Sequence, residues 1–443
     1  MTSATAAPPA LPPDLTATLR SRLSHGARLT EGAGAAGAMV QAAEVSDVVA
    51  AVRLAGRHGV ALAVRGPGRS GGPGAAGRPG RPGGPARRLT VDPDRLAQVT
   101  VSPAGWARVG AGVSWRELAG EAGRHGLTPL TGGSASERVA DTVTGGGVGP
   151  LARTYGLAAD RVRAVEVVTG DGALRRVTPD DEPELFWGLR GGGAALGVVT
   201  AVELDLLAAG PRYGGQLRWA PGDAARVLDA WRAWTATLPA QAGTSLVLSR
   251  PRQGEGGVAV RFAWAGDPED GVAVLDGLLG PLAAGGRPLD SEIAPRGPAG
   301  LATPQQVTDP GSSLLADRLP DDGAGAVLRA VRGSRPRTVE LRLLGGALGW
   351  VPERPSAVCH RDSRLAVLVT GGAGSEDRAA TRACTDDVAA AFGADLGGRE
   401  PAHGFAAVPD VLARTPTPAV RDRLAALAAG ADPHRVLEGA APR

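Results

Sequence analysis

Apolar positions change their spacing several times along the chain, and each change marks an element. Residues 15–23 read as a short helix and 38–43 as an extended strand. Over 44–57, Val45, Val48, Val49 and Val52 recur at helical spacing with Asp47 in the first turn, and His58-Gly59 supplies a stop. A short apolar strand follows at 60–64, then a long Gly/Pro stretch to Pro85. Strands are expected at 88–91, 98–101 and 107–110, and a helix over 114–125 with Ser114 as its cap and Gly126 as its end. The apolar run 162–168, the turn Gly170-Asp171-Gly172 and the segment 175–177 read as a hairpin, and 198–206 as a further strand.

Beyond Leu207 the rhythm changes. Strands are expected at 214–219, 244–248, 257–264, 338–344 and 365–369, and helices at 222–238, 271–279, 378–392 and 418–429. The second of these helices is expected to stop before Pro281. Strands interleaved with helices imply an antiparallel sheet covered on one face. Trp231 and Trp234, three apart, share a helix face and read as core.

Composition changes this picture little. A chain of 443 residues is long for one core, so two domains are expected. It contains no Lys, no Asn and a single Ile, Ile293, and all 48 basic residues are Arg, a pattern of codon bias rather than of selection at each site. The net charge is only +3, so Arg-rich stretches are poor evidence for nucleic acid. No apolar run is long enough to span a membrane. Cys359 and Cys384 match no zinc spacing. Residues 1–13 lack the features of a secretory signal, which points to a cytoplasmic protein.

Three glycine-rich segments carry the candidate chemistry. The first is Arg65-Gly66-Pro67-Gly68-Arg69-Ser70-Gly71-Gly72, directly after an apolar strand. Without a Cβ, glycine lets backbone N–H groups converge on an anion, and Ser70 and the arginines add donors and charge, which suits a pyrophosphate. The second runs from Thr131-Gly132-Gly133-Ser134 through Gly145-Gly146-Gly147-Val148-Gly149 to Tyr155-Gly156-Leu157 and Asp160. The third is 185–193, leading to Gly197-Val198-Val199-Thr200. Spacing alone does not identify the ligand, and a surface loop is the alternative for each.

The order of these segments resembles the FAD-binding domain of the berberine-bridge-enzyme family, within the vanillyl-alcohol-oxidase superfamily. Residues 65–70 stand in place of an RGGGHS-like loop, 131–160 of GGTC…GGGLG…RKYGLAAD, and 185–200 of LFWALRGGGGNFGIVT. Residues 340–347 and 432–437 resemble the family's substrate domain and its DPxxxF ending. The resemblance implies an α+β fold: a two-part FAD-binding PCMH-type domain plus a substrate domain with an antiparallel sheet covered by helices. The expected division is a tail and helix to residue 30, the FAD-binding domain over 31–207, the substrate domain over 208–400, and a C-terminal segment, 401–443, returning to the FAD domain. FAD is the implied cofactor, with Arg65 to Gly71, Gly132, Gly133, Ser134, Gly145, Gly146, Gly147, Gly149, Tyr155, Leu157, Gly197, Val198 and Val199 around it.

The departures are informative. Many members attach FAD through a His in the first loop and a Cys in the second, and those positions hold Arg69 and Ser134. Neither is a competent nucleophile for the flavin, so the cofactor is expected to be non-covalent. Arg69 is free to pair with the pyrophosphate, to sit near the flavin, or to be a solvated surface residue. Asp141 stands where the family usually has Gly, and Phe405 is the nearest counterpart of a family Tyr near the flavin.

The chemistry needs a base and a means of orienting substrate. Glu340 and Arg342 lie two apart on an expected strand and so share a sheet face. Glu340 is the first candidate base, and Arg342 a group for orienting an anion or carbonyl. A surface ion pair is the alternative. His360 is a further candidate base, or a solvated loop histidine. The leading expectation is an oxidoreductase of secondary metabolism taking a small alcohol or amine, with O2 as possible acceptor and no nucleic-acid or membrane partner. The other is a catalytically degenerate protein that keeps the fold to bind or sequester a flat ligand.

Overall fold

The computed structural model describes residues 11–32, 37–65, 87–193, 196–252, 256–285, 287–297, 301, 311–333, 335–372, 374–405, 412 and 416–437. Its first half is built on two sheets. In the four-stranded sheet the strands run in the order Arg28–Glu31, Ala38–Gln41, Arg88–Asp92 and Ala61–Val64, and the last three are parallel. The helix Val45–His58 makes the crossover between Ala38–Gln41 and Ala61–Val64. It opens on a capping box of Glu44 and Asp47 and closes at Gly59, whose φ of 60° a glycine adopts without Cβ strain. The second sheet is antiparallel, in the order Val99–Ser102, Trp106–Gly110, Val198–Asp205, Val162–Val168 and Leu174–Val177. Ser114 caps the helix Trp115–Gly123, as its hydroxyl and the carboxylate of Glu117 satisfy each other's backbone N–H groups.

The second half is a nine-stranded antiparallel sheet. Its main path runs Asp290–Ser291, Arg212–Trp219, Gly257–Ala265, Ala242–Arg250, Arg337–Leu343, Leu365–Gly371, Gly311–Ala316 and Ala402–Phe405, with Ala294–Pro295 pairing on Arg212–Trp219. Helices Ala224–Thr235, Pro268–Leu282, Asp321–Arg332 and Ser375–Phe392 cover one face. Their shared core holds Trp219, Trp231, Trp234, Phe262, Leu341 and Phe392. The opposite face meets the first half, where Leu315, Ala366 and Leu368 pack on Val148, Ala152, Leu157 and Ala159.

The chain then crosses back. Helix Pro418–Ala431 places Leu424 in the core of the five-stranded sheet, and Arg423 pairs with Glu184. Leu62 donates its N–H to Val436 O at 2.7 Å, so the last described residues lie against the four-stranded sheet. Among the described residues no helix is long and apolar enough to cross a membrane.

Two local expectations need correction. The helix expected to stop before Pro281 runs on to Leu282. Pro281 falls in the last turn, where one lost hydrogen bond is tolerable, and buried Leu278 and Leu282 hold that turn in the core. Residues 185–189 are not loop but part of helix Pro183–Leu189, because Leu185, Phe186 and Leu189 bury one apolar face.

Candidate active site

The glycine turns of the first half are tied to one another through the backbone. Thr144 O accepts from Gly191 N at 3.1 Å and Gly193 N at 3.0 Å, while Gly146 O and Gly147 O accept from Ala159 N and Ala158 N, both at 3.0 Å. Close approach is what demands glycine here. A Cβ on Gly149 would lie 1.9 Å from Thr131 O, and Gly147 sits at φ 83° with room for no side chain against Ala158. Gly149 therefore lies against Thr131 and Gly132, and Gly132 and Gly147 both close on Thr142, forming one glycine cradle. Gly133 differs from its neighbours. A Cβ there would meet only Val148 O, at 3.9 Å, and would project into a cavity.

Other residues expected at the cofactor fall into three groups. Leu157 is buried at the seam between the halves, Val198 lies in the core of the four-stranded sheet, and Gly197 packs against Val167. The side chains of Leu157 and Val198 build the scaffold, leaving only backbone to face a ligand. Tyr155 is half-buried beside Leu130 and Leu151, with Arg212 over its ring, and Val199 flanks the core of the five-stranded sheet. Ser134 is buried, its hydroxyl 3.0 Å from that of Ser136. Residues 66–71 lie outside the described residues, as do 406–410 beyond Phe405.

Arg65 and Asp141 belong to a polar network beneath the cradle. Arg65 pairs with buried Asp92 at 2.6 Å, and its carbonyl accepts from Arg138 Nη2. Burial acts to raise the Asp92 carboxyl, but hydrogen bonds from Asp94 N, Arg65 and Gln41 outweigh it and hold the group below its usual value. Arg138 also binds Asp141 at 2.6 Å and Asp94 at 2.8 Å. Burial holds the Asp141 carboxyl above its usual value, although Arg138 acts to lower it.

The cavity opens between this cradle and the uncovered face of the nine-stranded sheet. Its empty space amounts to about 590 Å3 and includes open solvent. Gly133, Val148 and Gly149 form one wall, and Ser245, Arg261, Glu340 and Arg342 form the other. The sheet wall follows from strand period. Val339 and Leu341 point into the helix-covered core, so Glu340 and Arg342 point the opposite way. Arg342 reaches across to Val148 O at 3.3 Å. Arg153 pins the two halves below the cavity, donating from Nε to Ala242 O at 2.7 Å, from Nη1 to Leu344 O, and from Nη2 to Leu238 O and Pro239 O, both at 3.3 Å.

Glu340 is buried between two guanidiniums. Its Oε1 accepts from Arg342 Nε at 3.1 Å and Nη2 at 2.9 Å, and Arg261 Nη1 lies 3.4 Å from Oε2. Burial alone would raise the Glu340 carboxyl, but Arg342 and Arg261 overcome it, with help from Ser245, and hold it below the ordinary 4.5. It is an ionised carboxylate at neutral pH. His360, the other candidate base, sits on a turn at φ 54° and is not among the residues lining the cavity. Its neighbour Arg361 forks onto Asp160 at 2.9 and 2.6 Å. Sequence reasoning passed over Arg261, Ser245 and Arg153. A lone charge in the apolar strand Gly257–Ala265 was the available signal for Arg261; Ser245 had none.

A glycine cradle thus faces a polar sheet wall across one cavity. Residues 36–178 match the family described as FAD binding domain. Over 180 residues the chain is 34% identical to an FAD-dependent monooxygenase of Fusarium proliferatum, covering 40% of this chain and 34% of that protein. It is 40% identical over 117 residues to the (R)-6-hydroxynicotine oxidase of Paenarthrobacter nicotinovorans, covering 26% of this chain and 25% of that enzyme. The chain thus matches about a third or less of the length of these curated relatives. Among solved structures, a berberine-bridge-enzyme-like protein of Physcomitrella patens superposes with a TM-score of 0.76 at 18% identity, over 97% of this chain and 99% of that one. The glucooligosaccharide oxidase of Acremonium strictum, described with a 6-S-cysteinyl, 8α-N1-histidyl FAD, gives 0.74 at 19% identity, over 95% and 97%. The chain therefore carries an FAD-binding domain, its cofactor is FAD, and its fold is that of the berberine-bridge-enzyme-like flavin oxidases. The cradle has room for that group at Gly133, which lines the cavity and where a Cβ would meet only Val148 O within 4 Å.

Proposed function

We propose that the protein is an FAD-dependent oxidoreductase that oxidises an alcohol or amine carbon of a small molecule bound between the glycine cradle and the sheet. Bound FAD would supply the hydride acceptor, with O2 as the final oxidant. The observation that carries this reading is an ionised carboxylate, Glu340, in the cavity wall opposite Gly133. As hydride leaves an alcohol carbon, the O–H proton becomes strongly acidic, so even a weak carboxylate base suffices to take it. For an amine, the same carboxylate faces the positive charge that develops on nitrogen. Arg342 holds Glu340 in place through two hydrogen bonds and closes the gap to Val148.

The flavin is held without a covalent bond in this reading. Ser134 is buried with its hydroxyl turned to Ser136, and an alcohol is a far weaker nucleophile than a thiolate. Acid precipitation is the test: the yellow colour should leave with the supernatant, and colour retained in the pellet would refute it.

The test of the activity is flavin reduction without oxygen by a panel of alcohols and amines, in the wild type and in Glu340→Gln. The variant should reduce about 100-fold more slowly, the scale of a general base. Equal rates would remove Glu340 from the chemistry. A yellow protein inert to the whole panel would instead support the binding or sequestering role.

A further inference from the structure

We infer that the substrate carries an anionic group, a carboxylate or its equivalent, and that Arg261, beside Ser245, binds it. The inference rests on reading the cavity as the substrate site.

Three neighbouring strands place these residues in one row. Ser245 is the direct cross-strand partner of Arg261 on one side and of Arg342 on the other. Directly paired residues point to the same face, and that face is the cavity wall. The row is therefore guanidinium, hydroxyl, guanidinium, with Glu340 set two residues along the last strand.

The charges in the wall do not balance. Arg153, Arg261 and Arg342 line the cavity against one carboxylate, Glu340. Arg153 is engaged by four backbone carbonyls, which satisfy its donors but bring no charge. Arg342 is committed to Glu340 and to Val148 O. Arg261 is the residue with capacity left. Its contact with Glu340 is long, 3.4 Å, and its Nε is buried with no partner among the described residues. A buried donor without an acceptor is costly, and a buried guanidinium more so. Burial lowers the pKa of Arg261 more than Glu340 raises it, the mark of a cation short of negative charge. A carboxylate entering the cavity would meet the Arg261 guanidinium, with the Ser245 hydroxyl beside it. Glu340 carries the one negative charge among the residues lining the cavity, against three guanidiniums, so the wall keeps a net positive charge for an incoming carboxylate.

Isothermal titration of the FAD-loaded protein with benzoate and with its neutral isostere benzamide tests this without turnover. Benzoate should bind at least about 10-fold more tightly, the ratio set by 1.4 kcal/mol. That preference should collapse in Arg261→Gln and return in part in Arg261→Lys, which restores the charge but not the guanidinium. Equal binding of the two probes by the wild type overturns the proposal, and this comparison needs no variant to fold. An unchanged preference in a folded Arg261→Gln protein also overturns it. So does a fall in the flavin's reduction potential in that variant with the ligand preference intact, since the cation would then serve the flavin. Failure of the oxidase reading looks different: benzoate binds selectively, yet no alcohol or amine reduces the flavin.

Discussion

At the scale of single residues, Glu340 carries two loads. It is the carboxylate in the cavity, and it neutralises Arg342 and Arg261. Its folded value lies below the ordinary 4.5, so it is ionised down to the acid range. A depressed carboxyl stabilises the fold above its unfolded pKa, and that contribution is lost as pH falls through the folded value. The rate of flavin reduction should therefore show no acid limb due to Glu340 until the pH falls below 4.5. A limb near pH 6 that disappears in Glu340→Gln would contradict the assigned ionisation. Removing the charge also leaves two guanidiniums facing one another, so Glu340→Gln should melt earlier, by an amount on the order of 3–5 kcal/mol for a broken buried pair. Thermal unfolding of the variant measures this separately from its rate. The pairing of Glu340 and Arg342 on one sheet face was legible in the sequence because strand period alone fixes it. Arg261 and Ser245 were not, because their place beside Glu340 depends on which strands pair and in what register.

At the scale of elements, the cradle depends on backbone approaching backbone. Gly149→Ala would force a Cβ to within 1.9 Å of Thr131 O. That variant should lose FAD or fail to fold, whereas Gly133→Ala, with open space before it, should fold normally and bind FAD more weakly. Fluorescence titration with FAD distinguishes the two, and equal affinities would contradict the assignment of Gly133 to the ligand wall. The glycine turns could be read from sequence order, yet their union could not. Thr144 O gathers Gly191 and Gly193 from a segment nearly fifty residues away, and only the folded sheets bring them together. The helix through Pro281 shows the same limit: a local stop signal yields when Leu278 and Leu282 have a core to enter. The strand Gly311–Ala316 and the helix Asp321–Arg332 were not among the expected elements, although the helix is amphipathic and buries Ala324, Ala326, Val327 and Ala330 along one face. Their positions come from pairing and packing in the nine-stranded sheet.

For the molecule as a whole, function depends on two halves meeting at a fixed distance. Arg153 is one polar tie between them, with four carbonyls of the second half around one side chain of the first. Arg153→Met should leave those carbonyls unsatisfied, at roughly 1–3 kcal/mol for each one that stays buried. It should lower the melting temperature and weaken substrate binding, and a melting curve unchanged from the wild type would show that the apolar seam alone holds the halves. The central claim is that a small alcohol or amine is oxidised in the cavity between them. Its most direct measurement is the visible flavin spectrum of the FAD-loaded protein, recorded anaerobically as carboxylate-bearing alcohols and amines are added. The account predicts bleaching by at least one of them, about 100-fold slower in Glu340→Gln. A flavin that stays oxidised throughout, or that bleaches equally fast in the variant, would contradict it.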